Sequence, residues 1–247
     1  MHYNFAIVYF GLTRSTKKVY KSHYDNIFNH LKANNYTYKT FMHTWKTKNN
    51  QQKIWCKTIK QEIDYNEYKL LNPDFYEIES QEDFLDNLNI KDFFYEDIYK
   101  KYGNNGEKGE WFLQLIKNHL CAIESQRRAF INVQRFCKND ENQFDYVIFI
   151  RPDVQFHNKL PLENIKKHIN NENTIHIPNF AHHEGYNDRF AVLNYVNSSK
   201  YANRILDYPE FRKKFGRIVA EKYIKLTVEK YNLNVNKIDF KFDIIRP

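Results

Sequence analysis

The strongest constraint on the fold is a near-continuous apolar run over residues 144–150, which ends abruptly at Arg151, Pro152 and Asp153. The run is too short for a helix, and its continuous apolar character is typical of a parallel strand covered on both faces. Proline cannot continue a central ladder of hydrogen bonds, so the strand ends there. The sequence therefore predicts a buried, mostly parallel sheet with polar residues at the carboxyl end of this strand.

The first 45 residues follow the pattern of a strand, a helix and a second strand. A short apolar run is closed by a glycine, apolar residues then recur at helical spacing, and a stretch of alternating residues follows. This order is typical of a βαβ unit. The elements are a strand over residues 4–10 ended by Gly11, a helix capped by Thr13 or Ser15 and running to Leu31, and a strand over residues 36–42 before His43, Thr44 and Trp45.

The remainder of the chain alternates shorter strand and helix patterns, with no internal repeat and no linker. We therefore expect one α/β domain over residues 1–247, with a mostly parallel central sheet flanked by helices. The predicted strands cover residues 76–79, 174–178 and 239–245; the predicted helices cover residues 83–102 with breaks, 111–136, 190–206 and 210–230; the predicted loops hold Gly103, Gly106 and Gly109, and residues 181–189.

Composition narrows the class of protein without naming its chemistry. Of 247 residues, 42% are hydrophobic and 17% aromatic, which argues against disorder, and no apolar run is long enough for a membrane span. The three cysteines, Cys56, Cys121 and Cys137, are far apart and odd in number, which indicates a reducing, cytoplasmic setting. A formal charge of +8 favours an anionic partner.

Four polar clusters fall at the predicted carboxyl ends of strands or in the loop that follows them, where open α/β sheets bind ligands. Each cluster also has an ordinary structural explanation, as a turn, a helix cap or a solvated loop. Their common placement is what favours a functional site. The clusters are residues 11–14, residues 43–45, residues 151–153 and the loop over residues 182–189.

Individual residues in these clusters have two open interpretations. Asp153 is either a ligand for a hard cation such as Mg²⁺ or Mn²⁺, or a turn residue. Gly11 and Arg14 either approach a phosphate or form a plain strand-to-helix turn. Asp188 is either a general base or a helix cap. His182 and His183 lack the spacing of a zinc site.

The four motifs together resemble a group of GT-A-like, and therefore Rossmann-like, glycosyltransferases from bacterial surface-polysaccharide loci and large DNA viruses. The similarity spans residues 4–206. It is carried by Gly-Leu-Thr-Arg at residues 11–14, His-Thr-Trp at residues 43–45, the run through Arg-Pro-Asp-Val at residues 144–154, and Asn-Asp-Arg-Phe-Ala at residues 187–191. Arg151 departs from the family, which has an acidic residue at the first position of its metal-binding motif.

The resemblance implies a nucleotide-sugar donor, a glycan or other hydroxyl acceptor, and assistance by Mn²⁺ or Mg²⁺. It makes Asp153 the metal ligand, so that Asp153→Ala abolishes transfer and leaves the fold intact. If the reaction inverts the anomeric centre, Asp188 is the expected base and Glu184 the reserve. Gly11, Leu12 and Arg14 are expected to line the nucleotide, Arg151 to neutralise diphosphate charge, and Asn187 with Asp188 to face the sugar or acceptor.

Two other classes remain open from the residues alone. A basic chain rich in Tyr and Phe could bind nucleic acid by stacking on bases, although no nucleic-acid-binding motif is present. A metal-dependent nuclease could begin at Pro152 and Asp153, but the following segment has no Glu-x-Lys. We expect a transferase without a nucleic-acid partner, in the cytoplasm, or in the host cytoplasm if the chain is viral. The oligomeric state is not written in these residues.

Overall fold

The computed structural model describes residues 2–48, 52–54, 57–59, 62–94, 107–140, 144–168, 173–216 and 218–246. Its centre is a seven-stranded sheet, to which two small two-stranded sheets are added. The strands are β1 Asn4–Phe10, β2 Thr37–Lys46, β3 Gln52–Ile54, β4 Lys57–Ile59, β5 Phe75–Ser80, β6 Tyr146–Ile150, β7 Val154–Phe156, β8 Thr174–Pro178, β9 Phe190–Asn194, β10 Asn234–Ile238 and β11 Phe242–Ile244.

The central sheet has the strand order β10-β8-β9-β6-β1-β2-β5. Strand β1 is parallel to both of its neighbours, β2 and β6, and the pairs β2–β5 and β8–β10 are parallel as well. Only β9 runs against its neighbours, β6 and β8. The expected α/β class with a mostly parallel central sheet is therefore confirmed.

The two central strands β1 and β6 are buried on both faces, as their apolar runs predict. In β1, Phe5, Ile7 and Tyr9 pack into the core on one face of the sheet. The intervening Ala6 and Val8 pack into the core on the other face. Strand period places successive side chains on opposite faces, so a strand buried on both faces needs an unbroken apolar run.

Helices cover both faces of the sheet. The longest, α4 (Glu107–Asp140), packs against β1 and β2, and its residues Ala129, Phe130 and Val133 belong to the core on that face of the sheet. The first helical segment lies on the opposite face and contains a short π-helical stretch over Tyr24–Phe28. The α-helices are α1 Thr16–His23, α2 Asn29–Ala33, α3 Gln81–Asp86, α4 Glu107–Asp140, α5 Leu162–Lys166, α6 Tyr195–Ala202, α7 Tyr208–Phe215 and α8 Ala220–Lys230.

The largest error of the sequence analysis concerns residues 190–206, which were expected to form one helix. Phe190–Asn194 is instead strand β9 in the middle of the sheet, and the helix begins only at Tyr195. A four-residue apolar run, ended by Asn194 and followed at once by a helix, offers no period that separates strand from helix. The Asn194 side chain accepts a hydrogen bond from the Asn197 backbone and caps the helix.

Other boundaries also differ from the predictions. Gly109 lies inside helix α4 rather than in a loop, and Gly216 breaks the single helix expected over residues 210–230. Strand β2 continues to Lys46, so His43, Thr44 and Trp45 lie within a strand rather than after it. Strands β7 and β10 were not predicted. The loop glycines Gly103 and Gly106 lie outside the described residues.

Two expectations from composition concern membranes and cysteines. Over the described ranges, the structure contains no helix that is both long enough and apolar enough to cross a membrane. Cys121 and Cys137 are free thiols, and Cys121 is buried in helix α4. Cys56 lies outside the described residues. The prediction that the whole chain is one domain stays a prediction.

Candidate functional site

A cleft of about 510 Å³ opens at the carboxyl end of strands β1, β2 and β6. This is the edge at which open α/β sheets bind ligands, and the volume lies in the range of small-molecule sites. Helix α4, the start of helix α8 and the segment after β11 form its walls. The cationic residues that line it are Arg14, Lys48, Lys117, Arg151, Arg189 and Arg246, and the carboxylates that line it are Glu82, Asp188 and Glu221.

Arg14 and Arg151 are held side by side by one buried carboxylate, Asp153. Arg151 donates from Nε to Oδ1 at 2.9 Å and from its Nη2 to Oδ2 at 2.6 Å. Arg14 donates from Nε to Oδ2 at 3.1 Å. The Asp153 side chain is only 1% exposed, whereas both arginines line the cleft. Asp153 therefore fixes two guanidinium groups at the cleft floor.

The electrostatics of Asp153 follow from this pairing. Burial alone would raise the pKa of Asp153, but the charges of Arg151 and Arg14 outweigh it and hold that pKa below its usual range. The carboxylate is thus ionised and fully engaged. Asp153 does not line the cleft, and both of its oxygens accept hydrogen bonds from arginines, so its role is to hold Arg14 and Arg151 in place.

The residues present do not suit the divalent cation that the resemblance implies. Both oxygens of Asp153 are bound by guanidinium groups, and hard cations need several oxygen ligands that are free to approach. Within the part of the chain that the structure describes, no three His, Cys, Asp or Glu side chains are grouped so as to hold a metal ion. The geometry therefore disagrees with the expected role of Asp153 as a metal ligand.

Gly11 ends strand β1 at the edge of the cleft in a left-handed conformation, with φ +94°. A side chain there would be strained, although no atom stands in its way. The Gly11 N–H donates to Ser125 Oγ at 2.8 Å, and Ser125 Oγ donates to the His43 carbonyl. His43 is fully buried behind this turn, so it supports the site and does not line it.

A pair of carboxylates, Asp188 and Glu221, lines the cleft; Asp188 lies next to the carboxyl end of β6, because Phe190 pairs with Ile150. Arg189 lies between them, with Nε 3.6 Å from Asp188 Oδ1 and Nη2 3.6 Å from Glu221 Oε1. Burial first, and the charge of Asp188 second, raise the pKa of Glu221. Asp188 Oδ1 is buried and has no hydrogen-bond partner among the described residues. Such a pair is suited to accept and hold a proton.

His119 on helix α4 lines the same part of the cleft. Burial lowers the pKa of His119 to about 4, although the charge of Asp188 acts in the opposite direction. The ring is therefore neutral at pH 7. Its Nε2 is buried and has no hydrogen-bond partner in the described part of the chain.

The loop that carries Asp188 is fixed from within by Asn187. The Asn187 side chain is fully buried, donates to the Phe180 carbonyl at 3.2 Å and accepts from the Arg189 backbone at 2.9 Å. It therefore shapes the loop and does not face a sugar, contrary to expectation. Glu184 is exposed and does not line the cleft, which disagrees with its expected role as a reserve base.

Gly185 brings the same loop against the start of helix α8. The Tyr186 N–H donates to the Glu221 carbonyl at 2.9 Å, and a Cβ on Gly185 would lie 1.9 Å from that same oxygen. Backbone on both sides leaves no room for a methyl group. The absence of a side chain at Gly185 therefore lets the loop that carries Asp188 approach the start of helix α8 closely.

We expect Gly185→Ala to push the loop away from helix α8 and to destabilise the protein by about 1–3 kcal/mol, the usual cost of overpacking. The variant should also lose affinity for any ligand of the cleft, because Asp188 and Arg189 move with the loop. Thermal unfolding and ligand titration measure the two effects. The exposed neighbour change Glu184→Ala is the control, and a Gly185→Ala protein with unchanged stability would contradict the close approach.

The structure brings together some of the predicted site residues and separates others. Gly11, Leu12, Arg14, Arg151 and Asp188 line one cleft, whereas Asp153 lies beneath it and Asn187 and Glu184 lie outside it. Six charged residues and one histidine of the cleft were not identified as candidates from the sequence. These are Lys48, Glu82, Lys117, Arg189, Glu221, Arg246 and His119. Only Arg189 had a signal, since it stands inside the Asn-Asp-Arg-Phe-Ala motif.

Comparisons with known proteins do not assign this chain to a family. No protein-family model matches the chain, and no curated protein matches it. Among solved structures 42 chains match. One is mouse xyloside xylosyltransferase 1 in its apo form, which is 10% identical at a TM-score of 0.42, with 96% of this chain and 85% of that chain covered. A likeness this weak carries no argument about the fold or the site of this chain.

Proposed function

We propose that this chain is a glycosyltransferase that moves a sugar from a nucleotide-sugar donor to a hydroxyl group of a glycan or another acceptor. The observation that carries the proposal is the composition of the cleft. Four arginines and two lysines meet three carboxylates at the carboxyl ends of the central strands. Arginines suit the diphosphate of a donor, and a carboxylate suits the hydroxyl of an acceptor.

The chemistry of glycosyl transfer explains why both kinds of group are needed. The bond between the anomeric carbon and the diphosphate oxygen breaks, and its electron pair stays on the departing diphosphate. A bond from the acceptor oxygen to the anomeric carbon forms, and the acceptor proton must leave. The guanidinium groups of Arg14 and Arg151 receive the charge of the diphosphate, because preorganised donors stabilise charge that develops in the transition state.

Asp188 is the group that we propose takes the acceptor proton, in a reaction that inverts the anomeric centre. Its Oδ1 is the buried oxygen without a hydrogen-bond partner among the described residues, and the Asp188 side chain lines the cleft. Glu221 holds a proton more readily than an isolated glutamate, since burial and the charge of Asp188 raise its pKa. A protonated Glu221 beside Asp188 would add no second negative charge to this part of the cleft.

The shape of the cationic site favours a small anionic ligand over nucleic acid. The arginines point into a cleft of about 510 Å³, and Asp188 and Glu221 stand among them. A single-stranded nucleic acid is bound instead along an open basic groove with aromatic side chains for stacking. The proposal also includes the cytoplasmic setting that the cysteine pattern indicates, because nucleotide-sugar donors are available to an enzyme in the cytoplasm.

The test is a thermal-shift screen of UDP-, GDP-, CMP- and dTDP-sugars, followed by an assay of nucleotide release with simple glycosides as acceptors. A donor at a hundred times its Kd adds about 2.7 kcal/mol of stability. That corresponds to a rise in Tm of about 5–11 °C for a chain of this size. We expect one nucleotide class to give such a shift and to release nucleotide when an acceptor is present.

A matched pair of variants places the binding in the cleft. Arg246→Gln removes a cation that lines the cleft and should reduce the shift, whereas Arg135→Gln removes an exposed cation on helix α4 and should not. The proposal is wrong if no nucleotide shifts Tm and the protein instead binds single-stranded nucleic acid with strong dependence on salt.

A further inference from the structure

Transfer from a nucleotide sugar needs positive charge against the diphosphate. The residues present do not suit a divalent cation. The cleft floor offers two guanidinium groups in its place. Arg151 is 21% exposed and Arg14 is 11% exposed, while the Asp153 between them is 1% exposed. Each guanidinium group thus uses one edge to bind Asp153, and both groups line the cleft.

We propose that Arg14 and Arg151, held by Asp153, bind the diphosphate of the nucleotide in this cleft without a divalent cation. The identity of the ligand rests on the proposed function. The geometry rests on the hydrogen bonds that hold Arg14 and Arg151 on Asp153. Two planar guanidinium groups supply several N–H donors in a fixed arrangement, and this arrangement matches phosphate oxygens. A metal ion is therefore not needed to bring the charges together.

The anchoring explains why the arginines can act as a fixed site. An unanchored arginine loses side-chain freedom when it binds a phosphate, and that loss weakens binding. Asp153 has already imposed the order, with three hydrogen bonds of 2.6–3.1 Å to the two guanidinium groups. One carboxylate shared between two arginines also leaves one net positive charge for the ligand.

Two further arginines extend the cationic surface around this pair. Burial and then the neighbouring charge of Arg151 lower the pKa of Arg246. Arg246 and Arg189 line the same cleft as Arg14 and Arg151. Like charges crowded into a partly buried cleft repel one another, and a bound polyanion relieves that repulsion. The crowding therefore favours a ligand with at least two negative charges.

The experiment is calorimetric titration of UDP, GDP and inorganic pyrophosphate into the full chain, in EDTA and separately in excess Mn²⁺ or Mg²⁺. We expect at least one nucleoside diphosphate and pyrophosphate to bind in EDTA, with a Kd that metal changes by no more than about threefold. Binding that is lost in EDTA and restored by metal overturns the proposal.

The variants test whether the two arginines are responsible. Arg14 makes one hydrogen bond to Asp153 and Arg151 makes two, so Arg14→Gln leaves Asp153 paired and is the cleaner change. We expect it to weaken nucleoside diphosphate and pyrophosphate in EDTA by about 10- to 150-fold, the loss of a charged hydrogen bond. Arg14→Lys, which keeps the charge without the planar fork, should fall between, and Arg135→Gln should match the unaltered protein.

The outcomes separate this inference from the proposed function. Metal-free binding that neither Arg14→Gln nor Arg151→Gln weakens, with both variants folded by circular dichroism, overturns the inference. Transfer that proceeds only with added metal supports a glycosyltransferase and overturns the inference. Metal-free diphosphate binding through the arginines, with no sugar moved to any acceptor, supports the inference and contradicts the proposed function.

Discussion

Replacing Asp188 by asparagine should lower kcat for sugar transfer by about 10²- to 10⁴-fold, the range expected when a general base is removed. Asparagine has the size of aspartate and can still contact Arg189, so the loop keeps its shape. What it lacks is the negative charge of the carboxylate, and with it the ability to take up a proton; Asp188 Oδ1 itself is buried and has no hydrogen-bond partner among the described residues. The loss should therefore appear in kcat, with KM for the donor nearly unchanged.

The measurement is nucleotide release at saturating donor over a range of pH, with and without an acceptor. The control is Glu184→Gln, which neutralises a carboxylate on the same loop that is exposed and does not line the cleft. It should retain full activity. A rate for Asp188→Asn within about fivefold of the unaltered protein would exclude Asp188 as the base, because a base contributes more than that.

Glu221→Gln gives a different signature, which distinguishes the two carboxylates. The Glu221 carboxylate contacts Arg189 at 3.6 Å and lies near His183 at 3.9 Å. Its raised pKa, caused first by burial and then by Asp188, places its titration closer to neutral pH than that of a free glutamate. We expect Glu221→Gln to remove the corresponding limb from the pH profile of kcat and to leave a measurable rate.

The strands that are buried on both faces were predictable from the sequence, because burial requires a continuous apolar run. Strands β1 and β6 lie in the middle of the sheet with helices on both faces, so each must be apolar at every position. The strand Phe190–Asn194 was not predictable in the same way, because only four apolar residues precede Asn194, which caps helix α6. A short run of this kind has no period of its own.

The sequence predicted where the candidate site lies, but not which side chains contact one another in it. The motifs identified the carboxyl edge of the sheet, because the ends of parallel strands meet there. The pairing of Arg14 with Asp153 joins residues 139 positions apart, and no local pattern signals it. Glu221 and His119 stand in helical stretches as ordinary polar residues, and only the packing of helices α4 and α8 around the cleft brings them together.

Asp153 is the residue for which the structure changes the expectation most. As a metal ligand facing the cleft it would be dispensable to the fold. As a buried carboxylate between two guanidinium groups it is not, because its removal leaves positive charges partly buried and unpaired. Breaking a buried ion pair by removing one partner costs about 3–5 kcal/mol.

Asp153→Asn should therefore lower the free energy of unfolding by about 3–5 kcal/mol and Tm by about 6–20 °C, in addition to abolishing nucleotide binding. Asparagine keeps the volume of the side chain, so packing alone does not account for such a loss. Asp25→Asn, at an exposed position on the first helical segment, is the control and should change Tm by less than about 2 °C. An Asp153→Asn protein with unaltered Tm that loses activity only through loss of metal binding would restore the metal-ligand role and contradict the arginine site, because an anchor acts on stability and binding together.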